Sequence, residues 1–177
     1  MDFNARVEAL KPWIRDVPDF PKPGILFKDI TTLLKEPRAY RQTMDLLTVL
    51  CGDLAIDKVV GIESRGFIFG AALADRLNVG FVPVRKVGKL PSKTVRTSYD
   101  LEYGTDSVEM HADGIDKGET VLLVDDVIAT GGTAAAVGGL VESVGATVAA
   151  YAFVVELSFL KGRERLGGRP VRSLIMY

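Results

Sequence analysis

The sequence contains little cysteine, little histidine and no surplus of charge. Its 177 residues include one cysteine, one histidine and one tryptophan, and 22 Lys and Arg residues oppose 23 Asp and Glu residues, for a net charge of −1. The single cysteine, Cys51, excludes an intrachain disulfide, and no group of Cys and His has the spacing of a zinc site. We therefore expect residence in a reducing cytoplasm. Without a basic excess, neither nucleic acid nor an anionic membrane is expected as a partner.

The N-terminus also lacks the features of a targeting or membrane segment. Residues 1–20 contain acids and no long apolar stretch, which is unlike both a signal peptide and a membrane-spanning helix. The overall composition, with 47% hydrophobic and 25% charged residues, is typical of soluble globular proteins. A chain of this length predicts a single domain over residues 1–177 that buries a substantial core.

Apolar periodicity predicts an alternation of strands and helices. Helices are predicted by apolar side chains at three- and four-residue spacing over residues 37–54, in a stripe of Phe67, Ala71, Ala74 and Leu77, and in a stripe of Val137, Leu140, Val141 and Val144. Strands are predicted over residues 58–62, 81–86, 120–126 and 146–157. Because these strands are almost continuously apolar, they favour an α/β fold, an open doubly wound and mainly parallel sheet flanked by helices. Ligands of such sheets bind at the carboxyl ends of the strands.

Two segments fall outside this alternation. Residues 17–30 are rich in proline and predict an extended arm or small hood over the core, within an N-terminal region of about residues 1–35. Residues 86–106 are polar, contain glycine and proline, and are too long for an ordinary connection. We interpret them as a lid loop, because long loops in compact domains commonly serve a function.

The stretch VLLVDDVIATGGT, residues 121–133, ends a strand in two adjacent acids, Asp125 and Asp126. A turn of small residues leads from there into a helix: Ala129, Thr130, Gly131, Gly132 and Thr133. Backbone N–H groups, the positive end of the helix dipole and the threonine hydroxyls suit a monophosphate. The two acids are placed to accept hydrogen bonds from ribose hydroxyls. Neither a Walker loop nor a GxGxxG fingerprint is present, so the stretch indicates a sugar-phosphate site; the alternative is an ordinary strand and capped helix with two solvated acids.

Residues 121–133 resemble the 5-phosphoribosyl-1-diphosphate (PRPP) signature of the type I phosphoribosyltransferases. Residues 18–31, 59–74, 82–91 and 98–106 are similar to the corresponding blocks of one branch of that family, the adenine phosphoribosyltransferases, in the same order. The resemblance covers the chain from about Val17 to Leu174. It implies a type I phosphoribosyltransferase fold, the joining of adenine to PRPP to give AMP and diphosphate, Mg²⁺ as cofactor bound mainly through PRPP, and a homodimer.

For the diphosphate, the resemblance implies a loop and several cations. The residues implied to bind it are Glu63, Ser64, Arg65, Arg85, Lys86 and Lys89. In the family the loop contains a cis peptide, here between Glu63 and Ser64. Arg65 is also a candidate catalytic residue, because stabilising the leaving group is the main demand of the reaction. The alternatives are a surface turn with a solvated Arg65 and a solvated cationic loop.

For the base, the resemblance implies contacts under the hood and in the lid. Adenine is expected between Leu26 and Ile128, with main-chain groups of Leu26 and Lys28 reading its edge. Many relatives have arginine in place of Lys28, so no guanidinium role is assigned there. Glu102, a candidate catalytic residue, matches the loop glutamate proposed to exchange a proton with the purine, and Tyr103 is expected to help close the lid. A solvated Glu102 and a hood-core Leu26 are the alternatives.

Two other functions compete with adenine transfer. One is transfer to another purine base such as hypoxanthine, guanine or xanthine. The other is a non-catalytic PRPP-binding regulator, because the same fold and signature also serve in regulators. The block at residues 98–106 and the hood favour adenine over the other bases. The balanced charge and the absence of room for a DNA-binding module disfavour a regulator.

Overall fold

The structure, a computed structural model, describes residues 2–101 and 104–177. The helices are α1 (Phe3–Glu8), α2 (Thr31–Leu34), α3 (Pro37–Cys51), α4 (Arg65–Leu77) and α5 (Gly132–Ser143). The strands are β1 (Arg15–Pro18), β2 (Leu26–Asp29), β3 (Lys58–Ile62), β4 (Gly80–Lys86), β5 (Thr94–Leu101), β6 (Gly104–His111), β7 (Thr120–Ile128), β8 (Thr147–Glu156) and β9 (Val171–Met176). Short 3₁₀ helices cover Lys11–Trp13, Ser158–Leu160 and Gly162–Leu166. In the described part of the chain, no helix combines the length and apolarity that crossing a membrane requires.

The main sheet has seven strands in the order β5-β6-β4-β3-β7-β8-β9. The five strands from β4 to β9 in this order run parallel, and β6 pairs antiparallel with both β4 and β5. Helix α4 connects β3 to β4 and α5 connects β7 to β8, as parallel neighbours require crossover connections. The prediction of an open, mainly parallel α/β sheet flanked by helices is confirmed.

Helices cover both faces of this sheet. In β7, Leu122 and Val124 belong to the core cluster that includes α3 and α4. Val121 and Leu123 belong to the cluster that includes α5. Since successive side chains of a strand point to opposite faces, a strand buried on both faces is apolar throughout, which explains the continuous apolar runs in the sequence.

The N-terminal segment forms a small hood of two antiparallel strands. β1 pairs with β2 so that Arg15 lies opposite Asp29. Asp29 accepts hydrogen bonds from Arg15, from the backbone N–H of Thr31 at 2.8 Å and from its hydroxyl at 2.9 Å. Lys28 Nζ lies 3.7 Å from the centre of the Tyr177 ring. These contacts fasten the hood to α2 and to the C-terminus.

Residues 86–106 differ from the predicted loop. Residues 94–101 and 104–111 form the antiparallel hairpin of β5 and β6 at the edge of the sheet. Of the described residues in this segment, 87–93 form a loop. The polar composition of residues 86–106 led to the prediction of a loop, because a hairpin at the edge of a sheet needs apolar residues on one face only. The sequence does contain a signal for a strand here, the alternation of two kinds of side chain. Val95, Thr97 and Tyr99 are half-buried, and Arg96 and Ser98 between them are exposed.

The buried face of α4 also differs from the prediction. Of the predicted stripe, Ala74 is buried, Phe67 and Leu77 are half-buried and Ala71 is exposed, whereas Phe69 and Leu73, which were not predicted, are buried. The sequence of α4 is apolar almost all round, so periodicity alone could not select the face. The face that contains Gly70 packs closely on the sheet, since a Cβ at Gly70 would lie 3.0 Å from the Phe81 ring.

Candidate active site

Two cavities lie where the parallel strands end. The smaller, about 110 Å³, is lined by the end of β7, by the turn that follows it, by the start of α5 and by one residue of β8: Asp125, Val127, Ile128, Ala129, Thr130, Gly131, Gly132, Thr133, Ala134 and Phe153. The larger, about 990 Å³, lies between the hood and the core and shares Val127, Ala129 and Thr130 with the smaller one. A ligand can therefore extend from one cavity into the other.

The turn at residues 129–133 has the shape of an anion cradle. Gly131 adopts φ +78°, a conformation that favours glycine, and α5 begins at the next residue. A Cβ on Gly131 would overlap the carbonyl oxygen of Gly162, and one on Gly162 would overlap that of Ala129. The cradle thus packs backbone against backbone on a distant segment. No motif around Gly162 in the sequence indicated this contact.

Asp125 and Asp126 lie together at the end of β7. Burial raises the pKa of Asp125, and the neighbouring charge of Asp126 raises it further. Burial also raises the pKa of Asp126, although the Arg65 guanidinium opposes this. Gly66 of α4 packs directly behind the pair, since a Cβ there would lie 2.8 Å from Asp125 Oδ1. The two acids are thus held in a crowded, poorly solvated place where ribose hydroxyls are suitable partners.

Arg65 connects these acids to the hood. Its Nε lies 2.8 Å from Asp126 Oδ2 in an ion pair without hydrogen-bond alignment, and its guanidinium lies 5.4 Å from the centre of the Phe27 ring. Arg65 also lines the larger cavity. The structure therefore places Arg65, which is predicted to bind the diphosphate, beside Asp126 and the hood.

The other predicted diphosphate residues gather around Glu63. The peptide between Glu63 and Ser64 is cis, as predicted, and Ser64 is exposed at the start of α4. Glu63 lies 3.3 Å from Arg85 Nε and 3.2 Å from Lys89 Nζ, and it accepts the backbone N–H of Lys86 at 2.9 Å. Burial raises the pKa of Glu63, but these contacts outweigh it and lower the pKa below its ordinary value.

Lys86 and Tyr99 link this cluster to the hairpin and the cradle. Lys86 Nζ lies 3.2 Å from Asp106 Oδ2 of β6. Tyr99 of β5 lies with its hydroxyl 3.3 Å from Thr133 Oγ1 in the cradle. No role was predicted for Tyr99, although it lies within residues 98–106, which resemble a block of the family. Glu102 and Tyr103 lie outside the described residues.

The larger cavity contains most of the predicted base site. Leu26 and Lys28 line it, together with Gly24, Ile25, Phe27, Leu157, Phe159, Leu160 and Arg165. Lys28 Nζ lies 2.6 Å from Asp16, so its ammonium is occupied within the hood. Ile128 is buried and lines the smaller cavity, whereas Val127 is the β7 side chain found in both. Residues 157–165 were missed, although the rule that ligands bind where parallel strands end applies to β8 as well.

Comparison with known proteins places these features in a family. Residues 29–166 match the phosphoribosyl transferase domain. This chain belongs to the phosphoribosyltransferase family. An adenine phosphoribosyltransferase of Solibacter usitatus is 57% identical over 168 residues, which are 95% of this chain and 97% of the relative. The resemblance inferred from the motifs is confirmed.

Solved phosphoribosyltransferase structures share the whole architecture. An adenine phosphoribosyltransferase of Thermoanaerobacter pseudethanolicus has a TM-score of 0.94 at 50% identity, covering 97% of this chain and 99% of that one. The enzyme of Saccharomyces cerevisiae, solved with adenine and an imino-altritol bisphosphate, has a TM-score of 0.89 at 45% identity, covering 96% of this chain and 98% of that one. The phosphoribosyltransferase fold of this chain therefore includes the hood and the edge hairpin.

Proposed function

We propose that this enzyme transfers the 5-phosphoribosyl group of PRPP to adenine, giving AMP and diphosphate. The observation that supports this best is the continuity of the two cavities: a phosphate cradle beside paired acids opens directly into a larger, partly apolar space under the hood. A phosphorylated pentose and a flat base joined at one carbon need this arrangement. The yeast relative was solved with adenine and a sugar-like bisphosphate.

In this proposal, separate groups of residues bind the 5-phosphate, the ribose and the diphosphate of PRPP. The turn at 129–133 binds the 5-phosphate, and ionised Asp125 and Asp126 accept hydrogen bonds from the ribose hydroxyls. Positive charge develops at the anomeric carbon as the diphosphate leaves, as in glycoside hydrolysis. Arg85 and Lys89, held at Glu63, and Arg65 stabilise the departing charge.

Adenine is proposed to lie in the larger cavity. Apolar side chains of the hood and of residues 157–160 line that space, which suits the two faces of a purine. Main-chain groups of Leu26 and Lys28 are proposed to read the edge of the base. Val127 takes the place first assigned to Ile128, since it is the β7 side chain that lines the base cavity.

Magnesium is proposed as the cofactor, carried by PRPP. In residues 2–101 and 104–177, no three side chains of His, Cys, Asp or Glu come together to hold a metal. Mg²⁺ at phosphate sites commonly keeps substrate phosphates and waters as ligands, so the donor set of this chain fits an ion that arrives with the substrate. Bound there, it neutralises charge on the leaving diphosphate.

Glu102 is proposed to exchange the proton that adenine loses. Glu102→Gln is expected to lower kcat by about 10²–10⁴, the usual contribution of general acid or base catalysis. Steady-state kinetics with saturating PRPP measure it, and an unchanged kcat would remove Glu102 from the mechanism.

An activity assay with each purine base in turn tests the proposed function. With PRPP and Mg²⁺, the protein is expected to form AMP from adenine, and to act more slowly on hypoxanthine, guanine or xanthine. Faster use of guanine would contradict the choice of base. PRPP binding without turnover of any base would instead indicate a regulator.

Two further properties stay predictions. A homodimer, implied by the family resemblance, is checked by light scattering of the purified protein. Residence in the cytoplasm stays a prediction from the single cysteine, Cys51, which is fully buried; burial raises the pKa of its thiol to about 12.

A further inference from the structure

A buried carboxylate lies beneath the exposed loop that carries Lys89. Residues 87–93 connect β4 to β5 without helix or strand, and Lys86 to Lys89 are exposed. Glu109 of β6 lies opposite Arg85 in the antiparallel pairing of β6 with β4. It is only 4% exposed. A carboxylate buried to this extent requires partners, because desolvating an unpaired charge is unfavourable.

The loop itself supplies those partners. Glu109 Oε1 accepts the backbone N–H groups of Gly88, Lys89 and Leu90 at 2.9, 3.3 and 3.4 Å. Its other oxygen accepts the hydroxyl of Thr94 at 3.0 Å. One side chain thus binds both the beginning of the loop and the first residue of β5.

The backbone of the loop is shaped around this carboxylate. Gly88 adopts φ +85°, and consecutive N–H groups next to such a residue form a concave site that suits an anion. Burial raises the pKa of Glu109, but the hydrogen bonds of Thr94 and the three N–H groups outweigh it and lower the pKa. The site is therefore filled from within the chain by an ionised group, and these N–H groups are not available to a substrate.

The anchored loop directs its cation toward the diphosphate side of the site. Lys89 Nζ lies 3.2 Å from Glu63, and the Lys89 carbonyl accepts a hydrogen bond from Arg85 Nη1 at 3.3 Å. Among the described residues, the hydrogen-bond partners of Glu109 are in the loop and at the start of β5, and Glu109 does not line either of the two cavities. Its influence on the site therefore passes through the loop.

We propose that Glu109 is a positioning residue that sets the loop at residues 87–93, so that Lys89 and Arg85 bind the diphosphate of PRPP. This rests on the proposed function. Glu109 acts on the affinity for PRPP and for free diphosphate, and leaves the affinity for adenine unchanged.

The test combines Glu109→Gln, which keeps the shape and removes the charge, with Glu119→Gln as control. Glu119 likewise accepts a backbone N–H, from Asp116, and it also accepts the ammonium of Lys58. It lies immediately before β7, at the end of that strand away from the cavities. For Glu109→Gln, the KM for PRPP and the Kd for inorganic diphosphate with Mg²⁺, measured by calorimetry, are expected to rise about 10-fold, the usual effect of losing one charge-assisted hydrogen bond. The KM for adenine is expected to stay within about twofold.

Two further measurements separate positioning from general damage. Hydrogen exchange of the amides of residues 88–90 is expected to accelerate in Glu109→Gln and not in Glu119→Gln. In a Lys89→Met background, Glu109→Gln is expected to reduce the diphosphate affinity by a smaller factor than in the wild-type background, because the Lys89 ammonium is one of the two cations through which Glu109 acts. Unchanged exchange, unchanged diphosphate affinity, or equal losses for PRPP and adenine would each overturn the proposal. Wild-type protein that binds diphosphate but forms no AMP would refute the proposed function alone.

Discussion

At the scale of single residues, Asp125 combines two opposing demands. Its proposed role requires an ionised carboxylate, yet burial and the charge of Asp126 raise its pKa. A carboxyl group whose pKa is higher in the folded than in the unfolded state stabilises the fold only while it is protonated, and its ionisation at neutral pH costs stability. Ionised Asp125 therefore serves the proposed binding of ribose and at the same time lowers the free energy of unfolding.

Replacing Asp125 by asparagine is expected to separate these effects. Asp125→Asn removes the buried charge, so the melting temperature at pH 7 is expected to rise. The gain is expected to shrink as the pH falls toward the unfolded pKa, where the wild-type carboxyl is protonated too. The KM for PRPP is expected to increase about 10- to 100-fold, the usual range for a lost hydrogen bond to a charged group. A lower melting temperature of Asp125→Asn at pH 7 would show that the charge of Asp125 does not destabilise the fold.

At the scale of elements, the site depends on how closely α4 approaches the end of β7. Gly66 makes this approach possible, since a Cβ there would lie 2.8 Å from Asp125 Oδ1 and 2.9 Å from the carbonyl oxygen of Val124. The helix start and the strand end would have to move apart to accept a side chain. The same glycine therefore matters to stability and to the position of Asp125, which is proposed to bind the ribose.

Gly66→Ala is expected to destabilise the fold by about 1–3 kcal/mol, the usual cost of overpacking, and to raise the KM for PRPP. Gly139→Ala in the exposed middle of α5 is the matched control. A Cβ at Gly139 meets nothing within 4 Å, so that change is expected to stabilise the fold by about 0.5–1 kcal/mol. Denaturant unfolding and PRPP kinetics measure both; normal kinetics in Gly66→Ala would contradict the role assigned to this packing.

The edge hairpin is a second element that reaches the site. Tyr99→Phe removes its hydroxyl contact with Thr133 and is expected to raise the KM for PRPP about two- to tenfold, in line with one neutral hydrogen bond. Tyr40→Phe is a suitable control, because the Tyr40 hydroxyl donates to the Ile68 carbonyl at 3.1 Å between two helices. That control is expected to leave the KM unchanged, and an equal KM for wild type and Tyr99→Phe would show that the hairpin contact is not used.

At the scale of the whole molecule, the hood must stay closed over the larger cavity. Asp29 joins β2 to β1 and to α2 through hydrogen bonds with Arg15 and Thr31. The backbone N–H of Thr31 lowers the pKa of Asp29 to about 2, against the opposing effect of burial and with help from Arg15. Because the folded pKa is below the unfolded value, the stabilisation is present above about pH 4 and is lost as the pH falls toward about 2.

Asp29→Asn is expected to reduce the free energy of unfolding at pH 7 by about 1–2 kcal/mol. The difference between wild type and variant is expected to narrow between pH 4 and pH 3, and urea unfolding at each pH measures it. Asp113→Asn, at an exposed turn position, serves as control. A difference that is independent of pH would show that the carboxylate charge does not fasten the hood.

Most of the parallel sheet was predictable, because burial on both faces makes its strands apolar and continuous in sequence. Helix α3 was predicted to within a few residues of its end at Cys51, and β7 was predicted two residues short of Ile128. The hairpin of β5 and β6 and the edge strand β9 were not predicted. Strand β5 exposes Arg96 and Ser98 on one face, so its composition resembles that of a loop.

The chemistry of the cradle follows from consecutive residues, because the N–H groups of a turn and of a helix start are neighbours in the chain. For that reason residues 121–133 alone indicated a sugar phosphate. Tertiary packing decided the contacts between distant segments: Gly162 against Gly131, Arg65 at Asp126, Glu109 beneath residues 88–90 and the hood above the base cavity. Such contacts depend on how whole elements pack, and the spacing of residues along one chain does not record which remote backbones come into contact.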